Sequence, residues 1–264
     1  MSYRSFMHAV VFFLLNELYA FKYFLIYRLQ SAIWIVYSAF TSLYGLITLT
    51  IIYSVSSGIA GWSYYQILAL SSTATIAVSV LYVVINPWMM VQNMREGRMD
   101  THLIRPYGTI TILLSSFSDV TAVGGLPTGA AIFVFAMLHI SVSVLSFTAY
   151  LAMVVAGTVA LILFVLMFTL LSYHLFKSAN FVNRLIGVLS TAGSYPLNIF
   201  GSFLLLVFTV VLPIGIASYY PPEVLFGKLS AVTYAEVLIV ILVVAFASYK
   251  ASQALIKHYA SGGG

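Results

Sequence analysis

With 264 residues, 62% hydrophobic side chains, only 6% charged ones and a mean hydropathy of +1.07, the chain is no soluble domain, where charged residues make up about 25%. The absence of cysteine excludes a disulfide, a thiolate metal site and a cysteine nucleophile. The net charge of +5 rests on 11 Lys and Arg against 6 Asp and Glu, too sparse for a nucleic-acid surface.

Several apolar runs exceed the roughly 20 residues that a spanning helix needs. They are smooth rather than alternating, which argues against an outer-membrane barrel and predicts an all-α integral membrane protein. Residues 3 to 28 are apolar but interrupted by Arg4, His8, Asn16, Glu17, Lys22 and Arg28. Arg4, His8 and Lys22 fall on one side of a helix, which suits an amphipathic segment lying in the cytoplasmic interface over residues 1–30; an ordinary first span is the alternative. Six spans follow, at about 31–54, 63–90, 119–140, 145–173, 186–214 and 233–256. Together they form one transmembrane domain over residues 1–260, with a flexible tail at 261–264.

With the amino terminus inside, Arg4, Lys22, Arg28, Arg95, Arg98, Arg105, Lys177, Arg184, Lys250 and Lys257 are cytoplasmic and Lys228 alone is external. The positive-inside rule therefore places both termini, and the loop after the second span, in the cytoplasm. That loop, residues 92–106, holds Arg95, Glu96, Arg98, Asp100 and Arg105. As a continuous helix it would carry Arg95, Arg98, His102 and Arg105 on one face, a face for a water boundary. A purely topogenic role for these charges is the bland alternative.

Two polar stripes run along spans. Ser72, Thr75, Ser79, Tyr82 and Asn86 follow one side of the second, and Thr191, Ser194, Asn198, Ser202 and Thr209 one quadrant of the fifth. Helix packing and a route lining both account for such stripes. Pro87 and Pro196 sit beside them, toward the cytoplasmic end, where bends would let a gate open. Pro213, Pro221 and Pro222 lie within ten residues, so no intact helix crosses them, and residues 216–231 read as a re-entrant external lid or a plain loop.

Asp119, His139, His174 and Glu236 fall near span ends, where ionisable groups are cheap. Glu236 pairs with Lys228 or lines the outer exit. His139 and His174 lie near opposite faces, which argues against a shared metal site. No phosphate-cradling G-x-x-x-x-G-K-[ST] motif occurs, and Gly227-Lys228 lacks its flanking residues, so the chain has no such ATPase site and no evident catalytic group.

Gly97, Asp100, Leu103, Arg105 and Pro106 spell G-x-x-D-x-x-L-x-R-P. With Tyr27-Arg28 ahead of Trp34, and with Tyr195-Pro196, Ile199-Phe200, Leu212-Pro213, Pro221 or Pro222 and Phe226-Gly227, this resembles the ABC type-2 exporter permeases. Those are membrane subunits of ATP-binding-cassette transporters whose ATPase is a separate chain. The resemblance implies a type V exporter: an elbow helix before the first span, and a coupling helix over 92–106 docking on the ATPase through Arg95, Glu96, Gly97, Arg98, Asp100, His102, Leu103, Arg105 and Pro106. It also implies that spans two and five face each other across a dimer axis and line the path, and that short external helices at Pro213, Pro221, Pro222 and Glu223 cap the exit. No cofactor is expected in this chain, since ATP and Mg would be bound by the partner. The expected assembly is two cytoplasmic ATPase subunits with a homodimer, or a heterodimer with a paralogous permease, in the lipid bilayer of the cell (plasma) membrane. A channel or secondary carrier without an ATPase, and a non-transport scaffold, are the alternatives that the residues leave open.

Overall fold

A computed structural model describes residues 3–55 and 58–260. The tail at 261–264 and the side chains of Arg4, His8 and Trp34 lie outside the described part. The described chain is all-helical, with 81% helix and no strand.

Helix α1 (Tyr3–Ile26) and α2 (Arg28–Val55) are separated by Tyr27 alone. Helix α3 (Tyr64–Val84) opens with a capping box in which Ser63 and Gln66 satisfy each other's backbone amides. It stops before Pro87, the first residue of α4 (Pro87–Arg95), because proline offers no amide and restrains the residue before it. Short helices α5 (Asp100–Leu103) and α6 (Thr109–Ser115) follow, then a 3-10 turn at Val120–Gly124 and α7 (Gly125–Met137). Helix α8 (Val144–Phe176), capped by Ser143, is the longest at 33 residues. After it come α9 (Asn180–Gly193), a 3-10 turn at Leu197–Phe200, and α10 (Gly201–Leu206), which runs on into a π turn at Val207–Val211. Two short helices, α11 (Gly215–Ser218) and α12 (Tyr220–Leu225), precede α13 (Ala231–Lys257).

Among the described residues, four stretches are long and apolar enough to cross a membrane: Arg28–Tyr53, Tyr64–Arg95, Val144–Phe176 and Ala231–Lys257. A fifth arises if α9 and Leu197–Val211 count as one crossing, but they meet at 103°. The stretch expected at 119–140 is a shorter apolar helix, Thr121–Met137. Four or five of the six expected spans are thus present by length and composition.

Helix α8 is apolar all round and is the hub on which α13, α11, α12 and α3 pack. Lipid tails are as apolar as leucine, so such contacts are held by close fit rather than by expulsion of water. Glycines supply the fit. Gly157 of α8 faces the Ile216 carbonyl so closely that a methyl group there would collide with it. On α7, Gly125 and Gly129 present a smooth strip to Ser79, Ser72, Thr75 and Ile76 of α3. Helix α2, by contrast, has only 7% of its apolar stretch buried.

Candidate functional site

The charged segment is a bent elbow rather than one helix. Gly97 sits at φ +69° and ends α4, since an L side chain rarely adopts that conformation. Arg95, Arg98, His102 and Arg105 therefore do not share a helix face, correcting the expectation from their spacing. Pro106 follows α5, beyond its C-cap Ile104.

Arg95 and Arg98 stand exposed at the tip. Arg98 Nη2 lies 2.6 Å from Glu96 Oε2, with its side chain 69% exposed, and Gln92 Nε2 donates to Glu96 Oε1 at 2.6 Å. Asp100 is exposed and Leu103 half-buried. His102 and Arg105 turn the other way, toward α1. The Arg105 guanidinium sits 5.9 Å from the Phe12 ring centroid, Phe12 stacks on Tyr107 at 4.0 Å, and the His102 ring lies 5.2 Å from that of Phe117. Burial, with Arg105 nearby, pushes the His102 pKa down, so its imidazole adds no positive charge at neutral pH.

The elbow is rooted by residues whose role the sequence did not single out. Met90, Met94 and Met99 are fully buried in the main apolar cluster. The Met94 carbonyl accepts from the Tyr173 hydroxyl of α8 at 3.5 Å and the Tyr259 hydroxyl at 3.4 Å. The four-residue spacing of Met90 and Met94 was the one available signal.

The first stripe divides. Ser72 is fully buried on the α7 seam, its hydroxyl donating to the Ala69 carbonyl. Thr75 and Ser79 line a cavity of about 250 Å³ with Ser71, Gly125, Leu49, Ile132, Ser190 of α9 and Ser194 just beyond it. Tyr82 is half-buried, and its carbonyl accepts from the Asp119 amide at 3.2 Å. Asn86 leaves the stripe because α3 ends at Val84. It caps α4 by accepting from the Met89 amide at 3.1 Å and donates to Asp119 Oδ2 at 2.9 Å.

The second stripe does not survive as one quadrant, because the 103° bend at Ser194 to Pro196 interrupts it. Ser194 stays on the cavity. Thr191 and Ser202 are exposed, and the Thr191 hydroxyl donates to the Gly187 carbonyl. Asn198 Nδ2 donates to the Ala60 carbonyl at 3.2 Å, while Thr209 is buried against the Tyr220 hydroxyl at 3.2 Å. Pro196 thus lies by the α2 to α3 connection, at the opposite end of α3 from Pro87, so the two do not sit together at one end as expected.

Pro213, Pro221 and Pro222 are buried, with the two prolines of α12 in its first turn, where a missing amide costs nothing. Helix α11 is wholly buried and packs on α8 and α3, so this segment folds back into the protein. Glu223 Oε1 accepts from the Tyr219 hydroxyl at 2.7 Å. Burial pushes the pKa of both groups up. Lys228 Nζ donates to the Gly61 carbonyl at 3.0 Å and lies 3.8 Å from the centroid of the buried Trp62 ring. It does not pair with Glu236, which is exposed; that expectation is corrected, because Trp62 and the Gly61 carbonyl are the nearer partners. His139 stacks on Tyr65, and His174 Nε2 donates to the Leu255 carbonyl, each in its own place.

The chain is thus a multi-pass helical membrane protein with a cavity of mixed polar and apolar lining and a charged elbow, and the family it matches makes it a membrane transport protein. Residues 35–263 match the family described as ABC-2 family transporter protein, and the chain belongs to that family. Its members are generally non-enzymatic membrane subunits that work with cytoplasmic ATPases. The match begins just after Trp34, so α1 and Tyr27-Arg28 precede it. No curated protein and no solved structure matches the chain.

Proposed function

We propose that the chain is the permease subunit of an ATP-binding-cassette exporter in the cell membrane, driven by ATP that a separate cytoplasmic ATPase binds with Mg and hydrolyses. Two ATPase subunits serve a homodimer, or a heterodimer with a paralogous permease. The observation that carries this reading is the elbow: an exposed Arg95, Glu96 and Arg98 tip fixed to a root of fully buried methionines, Met90, Met94 and Met99. A charged tip gives electrostatic fit to a partner, and a packed root transmits its displacement into α3 and α8 instead of absorbing it.

In this reading α1 is the interfacial elbow helix, the six-span topology stands with both termini in the cytoplasm, and α7 is a short third crossing. The cavity between Thr75, Ser79 and Ser194 lies on the cargo path, and α11 with α12 forms the external lid. Changing Arg95→Glu together with Arg98→Glu tests the docking role, since both side chains are free of the apolar core. The double variant is expected to lose roughly tenfold or more in ATPase affinity, seen as failed co-purification from membranes. Unchanged recovery of the ATPase, with unchanged hydrolysis, would overturn the reading.

A further inference from the structure

A second cavity, of about 210 Å³, lies between α1 and the chain that follows the elbow. Its lining is polar in an otherwise apolar chain: Asn16 of α1, then His102, Arg105, Ser115, Ser116 and Ser118. Three of these already donate within the protein. Asn16 Nδ2 donates to the Phe12 carbonyl at 2.8 Å, the Ser115 hydroxyl to the Ile112 carbonyl at 3.4 Å, and the Ser118 hydroxyl to Glu17 Oε1 at 2.5 Å.

The other three do not. His102 Nδ1 and Ser116 Oγ are buried without a hydrogen-bond partner among the described residues, a situation that is costly unless a ligand or water relieves it. Arg105 has a ring beneath it, Phe12, but no carboxylate within ion-pair distance among the described residues. Each of the three can donate, and one is a permanent cation with a planar fork of N–H groups. Glu17 is the carboxyl group nearest by hydrogen bonding; it stands behind Ser118, and burial pushes its pKa up, which favours its uncharged form beside an anion.

Spare donors around an uncompensated guanidinium suit an oxyanion with several acceptor oxygens, which a phosphate supplies and a single carbonyl does not. We infer that this cavity binds a phosphate group, with Arg105 as its charged contact and His102 and Ser116 as further donors. A phospholipid headgroup and a soluble phosphate share that chemistry. The position beside α1 favours the headgroup, because Leu14, Leu18, Tyr19 and Leu25 leave that helix with a large exposed apolar surface for acyl chains. The site is distinct from the Arg95 and Arg98 tip, beyond Gly97, so it stands or falls separately from ATPase docking.

Native mass spectrometry of the purified full chain in detergent tests the inference, with short-chain phosphatidylglycerol titrated in one arm and inorganic phosphate in the other. One phosphatidylglycerol is expected to be retained per chain, with roughly tenfold weaker binding in Arg105→Gln. His102→Phe keeps a ring against Phe117 while removing both nitrogens, and is expected to weaken binding several-fold even if Arg105→Gln fails to fold. Arg184→Gln, an exposed charge on α9, leaves the affinity unchanged. Inorganic phosphate binding without retention of the lipid assigns the site to a soluble phosphate. Retention of neither probe, or affinities that Arg105→Gln and His102→Phe leave as they were, or an equal loss in Arg184→Gln, overturns the inference.

Discussion

Glu17 illustrates how a single side chain reports on its surroundings. It is half-buried on α1, its Oε1 takes the Ser118 hydroxyl at 2.5 Å, and burial raises its pKa above 4.5. The folded protein therefore holds this proton more tightly than the unfolded chain does. The associated stability is fully present below 4.5 and is lost as pH rises through the folded-state value. Glu17→Gln keeps an oxygen for Ser118 and removes the cost of burying a charge. The variant is expected to melt higher than the parent at about pH 7, with the gap closing in acid, as thermal unfolding across pH would record. A gap that stayed constant with pH would contradict this. Sequence reasoning saw Glu17 only as an interruption in an apolar stretch and Asp119 only as an ionisable group near a span end. Their partners, Ser118 for one and Asn86 with Thr121 for the other, come from elements that tertiary folding brings together or from a local turn, which spacing along one helix does not encode.

At the scale of elements, the contact between α8 and α11 depends on an absent methyl group. Alanine is the better helix former, so Gly157→Ala ought to stabilise α8 in isolation. In the folded chain its Cβ meets the Ile216 backbone carbonyl, which no side-chain rotation can relieve. Gly157→Ala is expected to destabilise by about 2 kcal/mol. Gly187→Ala, on α9 with nothing within 4 Å, is expected to be neutral or to stabilise by about 0.5–1 kcal/mol. Thermal unfolding of the two variants side by side decides, and equal stability for Gly157→Ala and the parent would contradict the packing described. The same scale shows where sequence reading ran out. Pro87, Pro196 and the proline cluster after Leu212 were visible as breakers. The stripes were read on unbroken helices, however, and the 103° turn at Pro196 scattered Thr191, Asn198, Ser202 and Thr209 to different surroundings. A proline announces that a helix stops; neighbouring elements decide the direction in which the chain resumes.

For the whole molecule, the membrane class was legible from composition alone, because apolar surface on this scale has no soluble solution. The number of crossings was less so: hydropathy counts apolar residues along a run, whereas Thr121–Met137 is a shorter helix than the four long stretches and the α9 stretch turns sharply. The charged elbow was found from charge density and motif, but its Met90, Met94 and Met99 root appeared only once the chain was folded. In the proposed function, work from a partner ATPase enters the apolar body through that elbow. Placing a photoreactive amino acid at Arg98, and separately at Ala60 in the connection between α2 and α3, and irradiating intact cells tests this most directly. Position 98 should yield a covalent adduct with a cytoplasmic chain carrying an ATP-binding cassette, and position 60 none. Failure of position 98 to capture such a chain, when the protein is in the membrane at its native abundance, would contradict the account.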